Sequence, residues 1–202
     1  MGGQNVKTVG IVVFPDSEEL DWAGPFEVFG MAAAVGADLK VVTLAETLEP
    51  VRCAKGLRIA PDHTLGDAPN LDVVLLPGGV GTRAQIENRV LLDWLRGVAP
   101  ECEWVTSVCT GAAILAVAGL VEQKRVTTHW TYIEGLRELA PKCEVVDDMR
   151  YVRDGKVVTA AGVSAGIDMS LWLVGQMFSP ELARSTQKMM EYDPAPPYQA
   201  SV

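Results

Sequence analysis

Apolar residues fall in two rhythms along the chain, and the switching between them predicts its architecture. Val6 to Phe14, Leu39 to Leu44 and Leu71 to Leu76 are near-continuous apolar runs, the pattern of strands buried on both faces of a sheet. Between them the apolar positions take helical spacing. Pro25 to about Ala34 reads as a helix with proline near its first turn. From about Arg83 to Val98, the residues Ile86, Val90, Leu91, Trp94, Leu95 and Val98 mark a helix that covers a sheet. Pro50 to Thr64 reads as a hairpin excursion around Ala54-Lys55-Gly56.

The second half repeats the alternation. Trp104 to Val108 is β-branched and strand-like, whereas Gly111 to Leu120 is rich in Ala and Leu and helical. Arg125 to Thr128 predicts a short strand and Tyr132 to Leu139 a helix. Glu144 to Val146 and Tyr151 to Val152 follow, then an Asp154-Gly155 turn into a core strand, Val157 to Ala160. A helix from about Ile167 to Phe178 precedes Ser179-Pro180, an N-cap with proline at the first helical position of a last helix reaching about Tyr192. The prolines between Asp193 and Tyr198 forbid helix there and predict an extended surface tail over residues 193–202. This order predicts an α/β fold with a mostly parallel central sheet and helices on both faces, in one domain with its core at about residues 6–192.

In such sheets ligands bind beyond the carboxyl ends of the strands. Four loops are expected there: the one after Phe14, Pro77-Gly78-Gly79, Cys109-Thr110 and Gly162-Val163-Ser164. Cys109 is the candidate nucleophile. Only Thr110 separates it from a helix beginning at Gly111, so its thiol is expected to stand on a sharp strand-to-helix elbow above the first amides of that helix. Those amides favour negative charge, which predicts a thiol that ionises more easily than a free cysteine. The plain alternative is a small buried hydrophobe.

Charge and cysteine usage narrow the setting. A formal charge of -9 and the lack of a Lys/Arg cluster argue against nucleic-acid binding. Met1 to Asn5 carries no basic segment leading into an apolar core, and no uncharged apolar run approaches bilayer length. A cytoplasmic protein with no membrane partner is expected. Cys53, Cys102, Cys109 and Cys143 are scattered without CxxC spacing, so neither a zinc site nor a disulfide framework is predicted. Asp16, Glu18 and Glu19 read as a solvated loop and His63 as loop surface.

Taken together, Ser107-Val108-Cys109-Thr110-Gly111, Leu75-Leu76-Pro77-Gly78-Gly79, Leu20-Asp21-Trp22-Ala23-Gly24-Pro25 and Ala165-Gly166-Ile167-Asp168 resemble the ThiJ/PfpI superfamily over nearly the whole chain. Thr127-Thr128-His129-Trp130 and Glu191 to Tyr198 are similar to its isocyanide hydratase branch, and to amidotransferase-like domains fused to AraC-type regulators. The resemblance implies a flavodoxin-like three-layer sandwich, a homodimer, the elbow cysteine as nucleophile, a small-molecule substrate and no metal or organic cofactor. The hydratases convert an isocyanide to an N-substituted formamide. Proteolytic members carry histidine after the elbow cysteine, where this chain has Thr110, so peptidase activity is not expected. Where the deglycase and glyoxalase-like branch has glutamate in the first acidic loop, this chain has Asp21, the hydratase-like choice. The regulators' helix-turn-helix module is not found up to Val202, so DNA binding through it is not expected.

The chemistry assigns roles around that cysteine. A thiolate on Cys109 adds to the isocyanide carbon to give a thioimidate, which water then resolves. Asp21 is the candidate proton relay, and beside a thiolate it would titrate as one member of a pair; its alternative role is to cap the next helix. The amides of Gly78, Gly79 and Thr110 are candidate donors to developing negative charge, with a glycine-requiring turn as the companion reading. The Thr110 hydroxyl is placed to orient substrate or water. Val163 and Ser164 are expected to wall the pocket. His129 is either the base of a Cys-His dyad or a histidine satisfied by backbone. Two other function classes stay open: a glyoxalase-like or small-amide cysteine hydrolase, and a non-enzymatic redox or metabolite sensor.

Overall fold

The computed structural model describes residues 6–193. The chain runs β1 (Lys7–Val12), α1 (Glu19–Ala34), β2 (Leu39–Ala45), β3 (Val51–Arg52), β4 (Arg58–Ile59), β5 (His63–Thr64), β6 (Val73–Leu76), α2 (Thr82–Gln85), α3 (Arg89–Val98), β7 (Trp104–Val108) and α4 (Gly111–Val117). It continues with β8 (Arg125–Val126), α5 (Ile133–Leu139), β9 (Glu144–Val145), β10 (Tyr151–Asp154), β11 (Val157–Ala160), α6 (Ala165–Met177) and α7 (Pro180–Met189). Seven strands make the central sheet in the order β10-β11-β7-β6-β1-β2-β5. All neighbours pair in parallel except β10 with β11. The fold is a mostly parallel α/β sandwich.

Alternation along each strand feeds two cores. Val9, Ile11, Val73, Leu75, Val108 and Val158 point to one face and pack with Phe29, Met169 and Leu173 of α1 and α6. Val12, Val42, Leu44, Val74, Leu76 and Val105 point to the other and pack with Leu91, Leu95, Ile114 and Leu136 of α3, α4 and α5. The two-residue period of a strand places these sets back to back, and both faces need covering by helices because both are apolar.

Several expected elements shift. The first helix starts at Glu19, so Pro25 lies inside it and not near its first turn. Pro25 has no N–H to give the Asp21 carbonyl, a lost bond that the burial of Trp22, Val28 and Phe29 on the same helix outweighs. The helix expected over 83–98 is two helices, because the Asn88 side chain accepts from the amides of Val90 and Leu91 and restarts the chain as an N-cap. The strand at 125–128 keeps two residues and pairs with β9 outside the main sheet. The hairpin forms as expected from β3 and β4, but His63 belongs to β5 at the sheet edge, beside Leu44. Ser179 caps α7, accepting from the Leu182 amide, with Pro180 in its first turn. Helix α7 ends at Met189, before Tyr192, and the tail expected beyond Asp193 lies outside the described residues.

Glycines test this packing. A Cβ on Gly111 would lie 2.2 Å from the Leu76 carbonyl oxygen, which is rigid backbone, so Gly111→Ala should destabilise the fold by several kcal/mol or prevent it. Gly97, exposed in α3, has nothing within 4 Å of the same position. Gly97→Ala should stabilise by roughly 0.5–1 kcal/mol, both effects being read by urea unfolding.

Candidate active site

The four expected loops meet at the carboxyl ends of β1, β6, β7 and β11. Parallel pairing of β1, β6 and β7 brings three of these ends side by side. Here the strand order reverses, since β2 continues on one side of β1 and β6 on the other. Gly78 closes the gap: a Cβ there would meet the Thr110 amide nitrogen at 2.5 Å and Cys109 Cβ at 2.9 Å. Only glycine permits that approach.

Cys109 is 7% exposed and has φ +56°. Its amide donates to the carbonyls of Ala160 (3.1 Å) and Ala161 (2.8 Å), and its carbonyl accepts from Thr128 Oγ1 at 2.8 Å. These bonds tie the elbow to β11 and to the segment after β8, and they hold a left-handed backbone that a non-glycine residue adopts only at a cost. Val163 (φ +52°) and Asp16 (φ +59°) are in the same region on neighbouring loops. A β-branched residue there is a genuine outlier, and it clusters with the elbow.

Asp21 is fully buried in the first turn of α1. It does not cap that helix. Its Oδ2 reaches across to accept from the Gly78 amide at 2.8 Å. The Cys109 thiol and the Val163 amide lie near enough to favour its ionised form, yet neither meets full hydrogen-bond geometry, and Oδ1 is buried without a partner. Burial pushes the Asp21 carboxyl up to about 7, with the Glu18 charge adding to the rise.

The expectation of an easily ionised thiol is overturned. Burial and the Asp21 carboxylate push Cys109 up to about 12, against the Thr110 amide and hydroxyl, which favour the thiolate. Removing the sulfur from water outweighs a helix start only seven residues long. Two acids this close do not ionise together, so the pair keeps one proton between about 7 and about 12.

The glycine amides are not open donors. Gly78 N–H serves Asp21, and Gly79 N–H donates to Thr110 Oγ1 at 3.0 Å. Thr110 Oγ1 also lies 2.9 Å from Thr82 Oγ1, which fixes the hydroxyl expected to orient substrate. Of the proposed donors to negative charge, the Thr110 amide is the one directed at the sulfur. Val163 contributes its backbone at Asp21. Ser164 does not join the group: it is exposed, and its hydroxyl accepts from Arg150 Nη2 at 3.2 Å. His129 makes no hydrogen bond to Cys109. Its Nδ1 lies 2.8 Å from Thr131 Oγ1, and its ring rests against Gly162, where a Cβ would meet Cδ2 at 2.0 Å.

Four neighbours were not foreseen in these roles. Glu18 is a half-buried charge beside the pair and Glu19 Oε2 is buried without a partner, so the expected solvated run is part of the site. Glu18 precedes Asp21 by one helical turn, a spacing that puts both on one side. Thr82 follows a glycine-rich turn, a local cue, whereas nothing in the sequence tells where the Thr128 hydroxyl points. Among the described residues, no group of three or more His, Cys, Asp or Glu side chains is arranged to hold a metal ion, and no helix is long and apolar enough to cross a membrane.

Residues 7–176 match the model of the DJ-1/PfpI family. The chain belongs to the DJ-1/PfpI family. It is 39% identical to isonitrile hydratase of Pseudomonas putida over 94% of this chain and 80% of that protein. A glutathione-independent glyoxalase of Caenorhabditis elegans is 31% identical over 76% of this chain and 82% of that protein. Among solved structures, a ThiJ/PfpI family protein from Pseudomonas syringae superposes with TM-score 0.87 at 32% identity, covering 98% of this chain and 80% of that one. The family resemblance read from the sequence and the flavodoxin-like α/β architecture are both shown.

The raised carboxyl pKa is a stability statement. In the fold Asp21 keeps its proton up to about 7, while the unfolded chain loses it near 3.8. Stability therefore falls between those values and then levels. Asp21→Asn lacks this loss, so its stability relative to wild type should rise by up to roughly 4 kcal/mol between pH 4 and pH 7 and stay level to about pH 9. Urea unfolding of both proteins across that range checks it.

Proposed function

We propose that this protein is an isonitrile (isocyanide) hydratase in which Cys109 and Asp21 share one working proton. The observation that carries the reading is the buried Asp21 carboxyl, held by Gly78 and set against the Cys109 thiol, with His129 Nδ1 engaged by Thr131 and neither His129 nitrogen bonded to Cys109. The similarity to the Pseudomonas putida hydratase supports it.

In the singly protonated pair Cys109 holds the proton beside the Asp21 carboxylate, and passing that proton from sulfur to Asp21 as substrate binds supplies both things the first step needs, a thiolate and an acid. Sulfur bonds to the terminal carbon of R–N≡C while the Asp21 proton passes to that carbon, giving the thioimidate R–N=CH–S–Cys109. Water then adds to the same carbon. Asp21, now a carboxylate, takes one water proton as the oxygen bonds and passes it to nitrogen, giving R–NH–CH(OH)–S–Cys109 with Asp21 again a carboxylate. Cleavage of the C–S bond releases R–NH–CHO and returns the thiolate, with the hydroxyl proton restored to the pair. The Thr110 amide and hydroxyl favour the thiolate each time it forms, and the dry surroundings strengthen that effect. Val163, Gly78 and Gly79 shape the pocket around the two acids. A homodimer acting on a small molecule completes the reading.

Purified protein given an alkyl and an aryl isocyanide should release the matching formamides. Cys109→Ala should abolish the reaction, and Asp21→Asn should lower kcat/KM by roughly 10²–10⁴-fold. The wild-type kcat/KM should rise with pH up to about 7, where the pair reaches its singly protonated form, and then level. Turnover of methylglyoxal with no formamide from either isocyanide would sink the hydratase reading in favour of a glyoxalase. Light scattering should give twice the 21.7 kDa chain mass; a monomer removes the dimer from the proposal.

A further inference from the structure

The hairpin of β3 and β4 is fastened to the loop that carries the reactive carboxyl. The Asp16 amide donates to the Arg52 carbonyl and the Ala54 amide to the Ser17 carbonyl, both at 2.9 Å. At the hairpin tip, the Lys55 amide donates to Glu19 Oε1 at 2.6 Å and Lys55 Nζ pairs with Glu18 Oε2. The other side of that loop is pinned by the Glu18 amide, which donates to the Gly78 carbonyl at 2.9 Å. Gly78 therefore holds Glu18 through its carbonyl and Asp21 through its amide.

This places a carboxylate charge next to two acids that share one proton, and a lysine on top of that charge. We propose that Lys55 is a positioning residue for the Asp21–Cys109 pair, cancelling the Glu18 charge that otherwise opposes formation of the thiolate. The assignment rests on the Cys109–Asp21 reading of the site, though not on isocyanide being the substrate. Charge perturbation agrees with the contacts: Glu18 raises both Asp21 and Cys109, and Lys55 is influenced by Glu18, Glu19 and Asp21.

The other elements around the pair leave Lys55 and Glu18 as the charges to vary. The loop Gly78 to Gly81 has no titratable side chain. Asp16 is paired outward with Arg52, and Glu19 is engaged by the Lys55 and Leu57 amides. On the β11 side, Arg150 is paired with Asp168, and His129 is held by Thr131 against Gly162. A cation at Lys55 and an anion at Glu18 act on the pair with opposite signs, and that separates charge from scaffolding.

The test is the pH dependence of iodoacetamide alkylation at Cys109, read as the inflection near pH 7 where the pair loses its first proton and followed by mass spectrometry of the Cys109 peptide. Lys55→Met should move the midpoint up by roughly half a pH unit and Glu18→Gln should move it down by a similar amount. The double variant should return close to wild type, and Lys55→Arg should match wild type throughout. A merely structural contact predicts something else, because both single variants break the same ion pair: shifts in one direction, or none, overturn the proposal. The readout is sulfur chemistry, so a protein that hydrates no isocyanide still supports the Lys55 role if the midpoints split. Hydration with unsplit midpoints overturns the Lys55 role alone.

Discussion

Asp21 and Cys109 are both acids, both buried, and close enough that neither ionises without opposing the other. The surrounding structure supports that unfavourable arrangement. The Gly78 amide solvates one oxygen of the carboxyl, the Thr110 amide and hydroxyl favour the thiolate, and Thr128 and Ala161 hold the strained elbow by its carbonyl and amide. Each of these groups comes from a different loop, and the parallel pairing of β1, β6, β7 and β11 brings the loops to one end of the sheet. The apolar cores on both faces supply the stability that the site draws upon.

The Cys109 thiol is therefore of an unusual kind. An adjacent cation or histidine would activate a cysteine by lowering its pKa. Here the sulfur is instead pushed upward beside a carboxyl that is itself raised, so the pair loses its first proton near 7 and holds the second to about 12. A proton held in common suits a reaction that needs nucleophile and acid at a single carbon. It also makes the pair sensitive to nearby charge, of which Glu18, paired with Lys55 at the hairpin tip, is one source.

Much of the site is legible in the amino-acid sequence. The elbow at Cys109 follows from a strand pattern meeting a helix pattern with one residue between, and Asp21 follows from the motif around it. The proton affinity of the thiol does not follow. Helix-start amides argue for a low value, but the opposing effects, desolvation and the charge of a residue 88 positions earlier in sequence, exist only once the loops converge. Gly78 and Gly79 show the same limit. Their presence at a strand end is readable, but their amides are engaged by Asp21 and Thr110, and Ser164 turns toward Arg150.

The fold divides along the same line. By itself the sequence determined the βα order, the strands buried on both faces, the cap at Ser179 and the hairpin at 50–64, because periodicity and capping are local properties. Tertiary structure decided that Pro25 stays inside α1, where burial compensates a lost backbone bond, whereas the Asn88 cap that splits the helix expected over 83–98 is as local as the one at Ser179. It also decided which charges face the sulfur. Burial and Coulomb interaction depend on distance through space, and for Asp21, Glu18, Lys55 and Cys109 only the folded sheet sets those distances.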